Sequence, residues 1–245
     1  MNQASLNGPT SGLPPSQGPA APWWTGILRF AAGDLARFLV YLLVTPLLLR
    51  HFGLDRYGVL AIGTAVVGYL GLLDLGLKPM LERSVAAAFE AGDEDAVAAW
   101  LSSATLVLAG MGLVAVLLAG ALAQQAGGLF ALPPALVPAC AAYLAIKGVQ
   151  AAWALTLGVF EAGCVGCRQG HVGAWVGGIG GLTELLAAGL VIALDQGLVS
   201  LAWLEVLVVA GVAAVRWQVL KANVPGLRIR LVHVRGDHVR RLWKH

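Results

Sequence analysis

Charged side chains stand inside apolar runs of this chain, among them Arg29, Arg37 and Lys147 on the basic side, and Asp74, Glu184 and Glu205 on the acidic side. A cation among apolar residues can hold an anionic group away from water, and arginine's planar fork grips phosphate oxygens two at a time. A carboxylate in the same setting has its pKa raised by burial and can carry a proton. Each residue also has a purely structural reading. Asp34 lies three residues before Arg37, the spacing of a pair along one helix face. Arg29 suits a surface anchor whose stem lies along apolar neighbours. Lys147 has no acid three or four residues away, so it faces a cavity or finds a partner on another helix. Asp74, Glu184 and Glu205 are each candidate partners for Lys147 or Arg37, and Asp74 can also end its helix.

The elements that carry these residues follow from composition. The chain has 245 residues, is 58% hydrophobic and only 12% charged. A soluble domain of this length carries roughly 25% charged residues. So much apolar surface cannot be hidden in one water-soluble core, which predicts an all-α integral membrane protein that crosses the bilayer several times.

About 20 apolar residues span the hydrocarbon core as a helix, and by that measure six spans are expected. Residues 1–24 read as a disordered tail rich in Gly, Ser, Pro and Ala, with Trp23 and Trp24 as an interfacial anchor ahead of the first span. The spans cover about 25–49, a run opening at Tyr57, and about 97–123, 133–160, 172–194 and 198–220. Gly53 suits a helix C-cap between the first two. Residues 81–91 read as an amphipathic helix at the membrane surface, ended by Gly92, with Asp93-Glu94-Asp95 at the positive end of the next helix. Residues 124–132 read as an uncharged loop and 161–171 as a short polar hinge. Gly173, Gly177 and Gly181 form a small-residue stripe for close helix approach. The six-helix lobe is thus 25–221, and 222–245 is a basic C-terminal segment.

Eight of the sixteen Lys and Arg residues lie from Arg216 onward. By the positive-inside rule this cluster places both ends of an even-numbered bundle in the cytoplasm. The same cations can touch anionic lipid headgroups. Topology accounts for the cluster, and no nucleic-acid partner is expected. Cys164 and Cys167 with His171 lack a second ligand pair, so neither a metal nor a cofactor is expected. No nucleophile–base arrangement is present, and an enzyme is not expected.

Several phrases carry a family resemblance. Leu48-Leu49-Arg50, Gly53, Tyr57-Gly58, Leu72-Leu73-Asp74-Leu75-Gly76-Leu77, Arg83 and Gly92-Asp93 together resemble the opening of the polysaccharide and O-antigen flippases. These belong to the multidrug/oligosaccharidyl-lipid/polysaccharide exporter superfamily. Gly158-Val159-Phe160-Glu161, Arg168-Gln169 and Pro225-Gly226-Leu227 are similar more loosely. The resemblance implies a bacterial inner-membrane translocase whose two six-helix lobes flank a cavity for lipid-linked oligosaccharide of the polyprenyl pyrophosphate type. It implies Arg37, Arg29 and Lys147 as substrate contacts, and Asp74, Glu184 and Glu205 as candidates for proton coupling. The chain matches one such lobe, so a second lobe is expected as a partner, either a second copy or a separate chain. An ion-coupled multidrug exporter lobe and a non-transporting membrane scaffold are the alternatives.

Overall fold

A computed structural model describes residues 23–130, 132–224 and 227. Side chains are described for residues 42, 44–130, 132–170, 175–224 and 227. The expected tail, except for Trp23 and Trp24, and nearly all of the basic C-terminal segment lie outside these residues.

The described chain is an all-α membrane bundle. Its helices are α1 Trp23–Gly71, α2 Leu77–Glu90, α3 Glu94–Gln124, α4 Ala126–Leu129, α5 Val137–Gly166, α6 Gly170–Ala193 and α7 Leu198–Asn223, with a 3-10 turn at Leu72–Asp74. Trp23 and Trp24 open α1 instead of preceding it. Among the described residues five helices are long and apolar enough to cross a membrane: Val44–Asp74, Glu94–Gln124, Val137–Gly166, Trp175–Ala193 and Leu198–Asn223. They correspond to the second through sixth expected spans. The expected first span, 25–49, follows the N-terminal half of α1, where the side chains up to Tyr41 lie outside the description.

Backbone geometry explains where the long helices break. Gly53 has φ 75° and ψ 170°, so α1 turns sharply between Phe52 and Leu54 at the expected boundary. That region of conformational space is open to glycine and essentially to no other residue. At the far end of α1, Leu75 and Gly76 both take left-handed conformations (φ 47° and 78°) and redirect the chain into α2. Asp93 then caps α3, its Oδ1 accepting from the Ala96 N–H at 2.8 Å.

Helix α5 is the axis of the bundle. It packs on α1, α2, α3, α6 and α7, and 56% of its apolar window is buried, against 17–33% in the other spanning helices. Gly112 and Gly148 let α3 and α5 meet closely: a Cβ at Gly112 would lie 3.1 Å from the Ala152 carbonyl oxygen. Two buried clusters share α5. One gathers Val59, Tyr143, Leu144 and Leu201; the other gathers Leu81, Val85, Leu101, Val159 and Leu220. The outward faces are apolar, with Tyr69, Leu113, Trp175, Leu186 and Leu207 all exposed. Acyl chains satisfy such a surface; water does not.

The expected amphipathic helix is α2, and its apolar side (Leu77, Leu81, Val85, Ala88) is buried in the bundle, since α2 packs on α3 and α5. One expectation is corrected. The expected hinge at 161–171 is mostly helix, because α5 continues to Gly166. Packing drives that extension: a Cβ at Gly163 would come within 2.9 Å of Leu220, and one at Gly166 within 2.7 Å of Val85. Only 167–169 remain as the connection, with Arg168 at φ 60°.

Candidate functional site

Polar contacts sort the connections into two ends. At one end His51, just before the α1 break, lies 3.8 Å from Asp195 in the turn between α6 and α7. At the other, Arg168 after α5 pairs with Glu90 at the end of α2 at 2.5 Å. There, too, the Gln169 side chain donates to Asn223 at the end of α7 at 3.0 Å. Alternate connections therefore share an end, as antiparallel spans require.

Two charged sites lie between these ends. The first is built on Lys147 of α5, whose side chain is 5% exposed. Its ammonium pairs with Glu205 of α7 and donates to the Gln150 Oε1 at 2.9 Å. The Tyr143 ring lies 5.5 Å from the nitrogen. Gly63 of α1 closes the site, since any Cβ there would collide with the Tyr143 ring. A buried cation must be paired and hydrogen-bonded to be tolerated, and here it is both.

The second site lies further along α5; at 1.5 Å per residue the step from 147 to 161 is roughly 21 Å. It is a cavity of about 380 Å³ lined by α5, α6 and α7. From α7, the Arg216 Nη1 donates to the Glu161 Oε2 of α5 at 3.2 Å. From α6 comes Glu184, and from α2 comes Lys78. The Lys78 chain crosses α5 in the notch left by Gly158, where a Cβ would sit 2.7 Å from its Cε and 3.1 Å from its Nζ. Gly177, Gly180 and Gly181 form the α6 wall. Gly177 lies under the Arg216 fork, and a Cβ at Gly180 would come within 2.8 Å of Val212. Phe160 and Trp217, the neighbours of Glu161 and Arg216, stack beside the ion pair at 5.3 Å. Outside the spans, burial raises the Glu82 pKa and Glu161 raises it further, while Lys78 and Arg83 offset part of the shift.

The expected site residues are thus placed as follows. Lys147 and Glu205 come together, which is the partner-on-another-helix alternative. Glu184 lines the cavity. Asp74 ends its helix: its Oδ1 accepts from the Gly76 N–H at 2.9 Å. Arg29, Arg37 and Asp34 fall on the backbone of α1 with side chains outside the described residues, and so does the His171 side chain. Cys164 and Cys167 are buried and free. Burial, then the neighbouring Cys164, pushes the Cys167 thiol up to about 11, so it stays protonated.

No family model, curated protein or solved structure matches this chain.

Lys78, Glu161 and Arg216 were not singled out as a site by the sequence. Glu161 fell in the expected hinge at 161–171 and Arg216 at the start of the basic cluster, and Lys78 carried no expectation. The usable signal was the glycine stripe of α6, whose small faces leave room between helices.

Proposed function

We propose that this chain is one lobe of a membrane translocase for lipid-linked oligosaccharide of the polyprenyl pyrophosphate type. It would serve cell-envelope polysaccharide export from the bacterial inner membrane, with both termini cytoplasmic. The observation that carries this reading is the cavity holding Lys78, Glu161, Glu184 and Arg216 inside a bundle whose outer surface is apolar. Lipid cannot satisfy such groups, and charged side chains between spanning helices line pathways or bind polar ligands. The sequence phrases around Asp74 and Gly92 support the same family. A second lobe, a second copy or a separately encoded chain, completes the passage.

The cavity brings as many acids as cations, which favours one rival: an ion-coupled exporter of cationic drugs. Reconstitution separates the two. Proteoliposomes containing the chain, with and without its candidate partner, are supplied with fluorescent lipid-linked oligosaccharide, and inward-facing label is measured by quenching. Faster scrambling or vectorial transfer supports the translocase. Proton-driven extrusion of a cationic dye, without glycolipid movement, replaces it with the exporter.

A further inference from the structure

Lys78 and Arg216 reach one cavity from different helices. Neither is a simple surface cation. The Lys78 stem is threaded over Gly158, so α2 delivers an ammonium across α5 into a groove it does not itself form. The Arg216 guanidinium is anchored at one edge by Glu161, and its side chain is 14% exposed. Its Nε is buried without a hydrogen-bond partner among the described residues. Two cations converging on an open polar cavity suit a pyrophosphate diester, whose two phosphoryl groups carry one negative charge each and together offer several acceptors to an ammonium and a planar fork at once. The carboxylates of Glu161 and Glu184 share the cavity. When ionised they accept and cannot donate, and so complement hydroxyl donors, not a second anion.

We infer that this cavity binds the sugar–phosphate junction of a polyprenyl-linked glycan. Lys78 and Arg216 take the phosphate oxygens, and Glu161 and Glu184 accept from the hydroxyls of the first sugar. The glycine wall of α6 gives that sugar its room. Gly158 is a positioning residue, since it sets the reach of Lys78 and touches no ligand. This assignment rests on the translocase reading for its ligand and adds to it the residues that hold the headgroup.

The test uses the full chain in nanodiscs, with binding read by native mass spectrometry. Three lipids are compared: polyprenyl pyrophosphate bearing one sugar, the same lipid without the sugar, and phosphatidylglycerol. The expected order of affinity is the one named, with Lys78→Gln and Arg216→Gln each weakening the first lipid at least tenfold. Gly158→Ala displaces only the flexible end of Lys78, so it should reproduce the Lys78→Gln loss without altering charge. Glu184→Gln should narrow the gap between the sugar-bearing and sugar-free lipids. Unchanged affinity in Lys78→Gln and Arg216→Gln, in folded protein, overturns the assignment. Equal binding of phosphatidylglycerol does so too, leaving an ordinary anionic-lipid contact. If binding behaves as expected but no glycolipid crosses the proteoliposome membrane, the site stands and the translocase reading fails. If glycolipid crosses and the variants bind normally, the translocase reading stands and this site is not its headgroup site.

Discussion

Lys147 and Glu205 form an ion pair across α5 and α7, with Gln150 as the second acceptor for the ammonium. Removing one partner strands the other charge, which costs about 3–5 kcal/mol at buried pairs, whereas replacing both by apolar residues is often neutral. Glu205→Leu should therefore lower the melting temperature sharply, and Lys147→Met with Glu205→Leu should restore most of the loss. Thermal denaturation in a single detergent checks the pair of results.

The break in α1 depends on backbone conformation alone. A Cβ at Gly53 meets nothing within 4 Å, yet φ there is 75°. Gly53→Ala should cost about 1–3 kcal/mol through strain. Gly58→Ala, in open space within the helix that follows the break, should be neutral or stabilise slightly. Denaturant titration of the two variants side by side separates strain from crowding.

Contact between α3 and α5 depends on size. A Cβ at Gly148 would collide with the Ala119 methyl, so Gly148→Ala should cost about 1–3 kcal/mol, the range for overpacked cores. Adding Ala119→Gly should recover part of it. Recovery of thermal stability in the double variant is the measurement, and its absence would move the crowding elsewhere.

Glu82 supplies a pH dependence. Its folded pKa lies above the ordinary carboxylate value, chiefly through burial and then through Glu161. The folded state thus holds this proton more tightly than the unfolded chain, and the carboxylate opposes folding once it ionises. Its stabilising contribution is full below the ordinary carboxylate pKa and is lost as pH rises through the folded value. Glu82→Gln should raise thermal stability at neutral pH and leave it nearly unchanged in acid. A melting-temperature profile against pH for both proteins tests the sign.

Orientation can be read by labelling. Gln125 and Gln196 are exposed in connections expected outside, and Asn223 is exposed at the opposite end, by Gln169. Single cysteines at Gln125 and Gln196 in a cysteine-free background should react with an impermeant thiol reagent added to cells, and one at Asn223 should not. The reverse pattern would invert the proposed topology.

What the sequence disclosed depended on the physics behind each feature. Breaks at Gly53 and Gly92 were legible because they need local conformations that few residue types adopt. Span positions were legible because bilayer thickness imposes a length. The Lys147–Glu205 pair was only half legible: a cation without an acid on its own face demands a distant partner, but separation along the chain does not say which one. The end of α5 was illegible for the same reason in reverse. Glu161 and Cys164 look like loop residues until Leu101, Val85 and Leu220 are brought against Gly163 and Gly166. Arg216 looked like the first member of a basic tail because its ion partner lies on a helix 55 residues earlier.

The separation between Lys147 and Glu205 has a consequence in time. The two stand 58 positions apart in the chain, and at synthesis rates of about 5–20 residues per second the lysine waits roughly 3–12 s for its counter-ion to leave the ribosome. Throughout that interval α5 is the least apolar of the candidate spans, with a mean hydropathy of 1.3 against 2.5 for α3. The nascent chain therefore carries its future axis with the Lys147 ammonium still lacking its carboxylate until α7 is made.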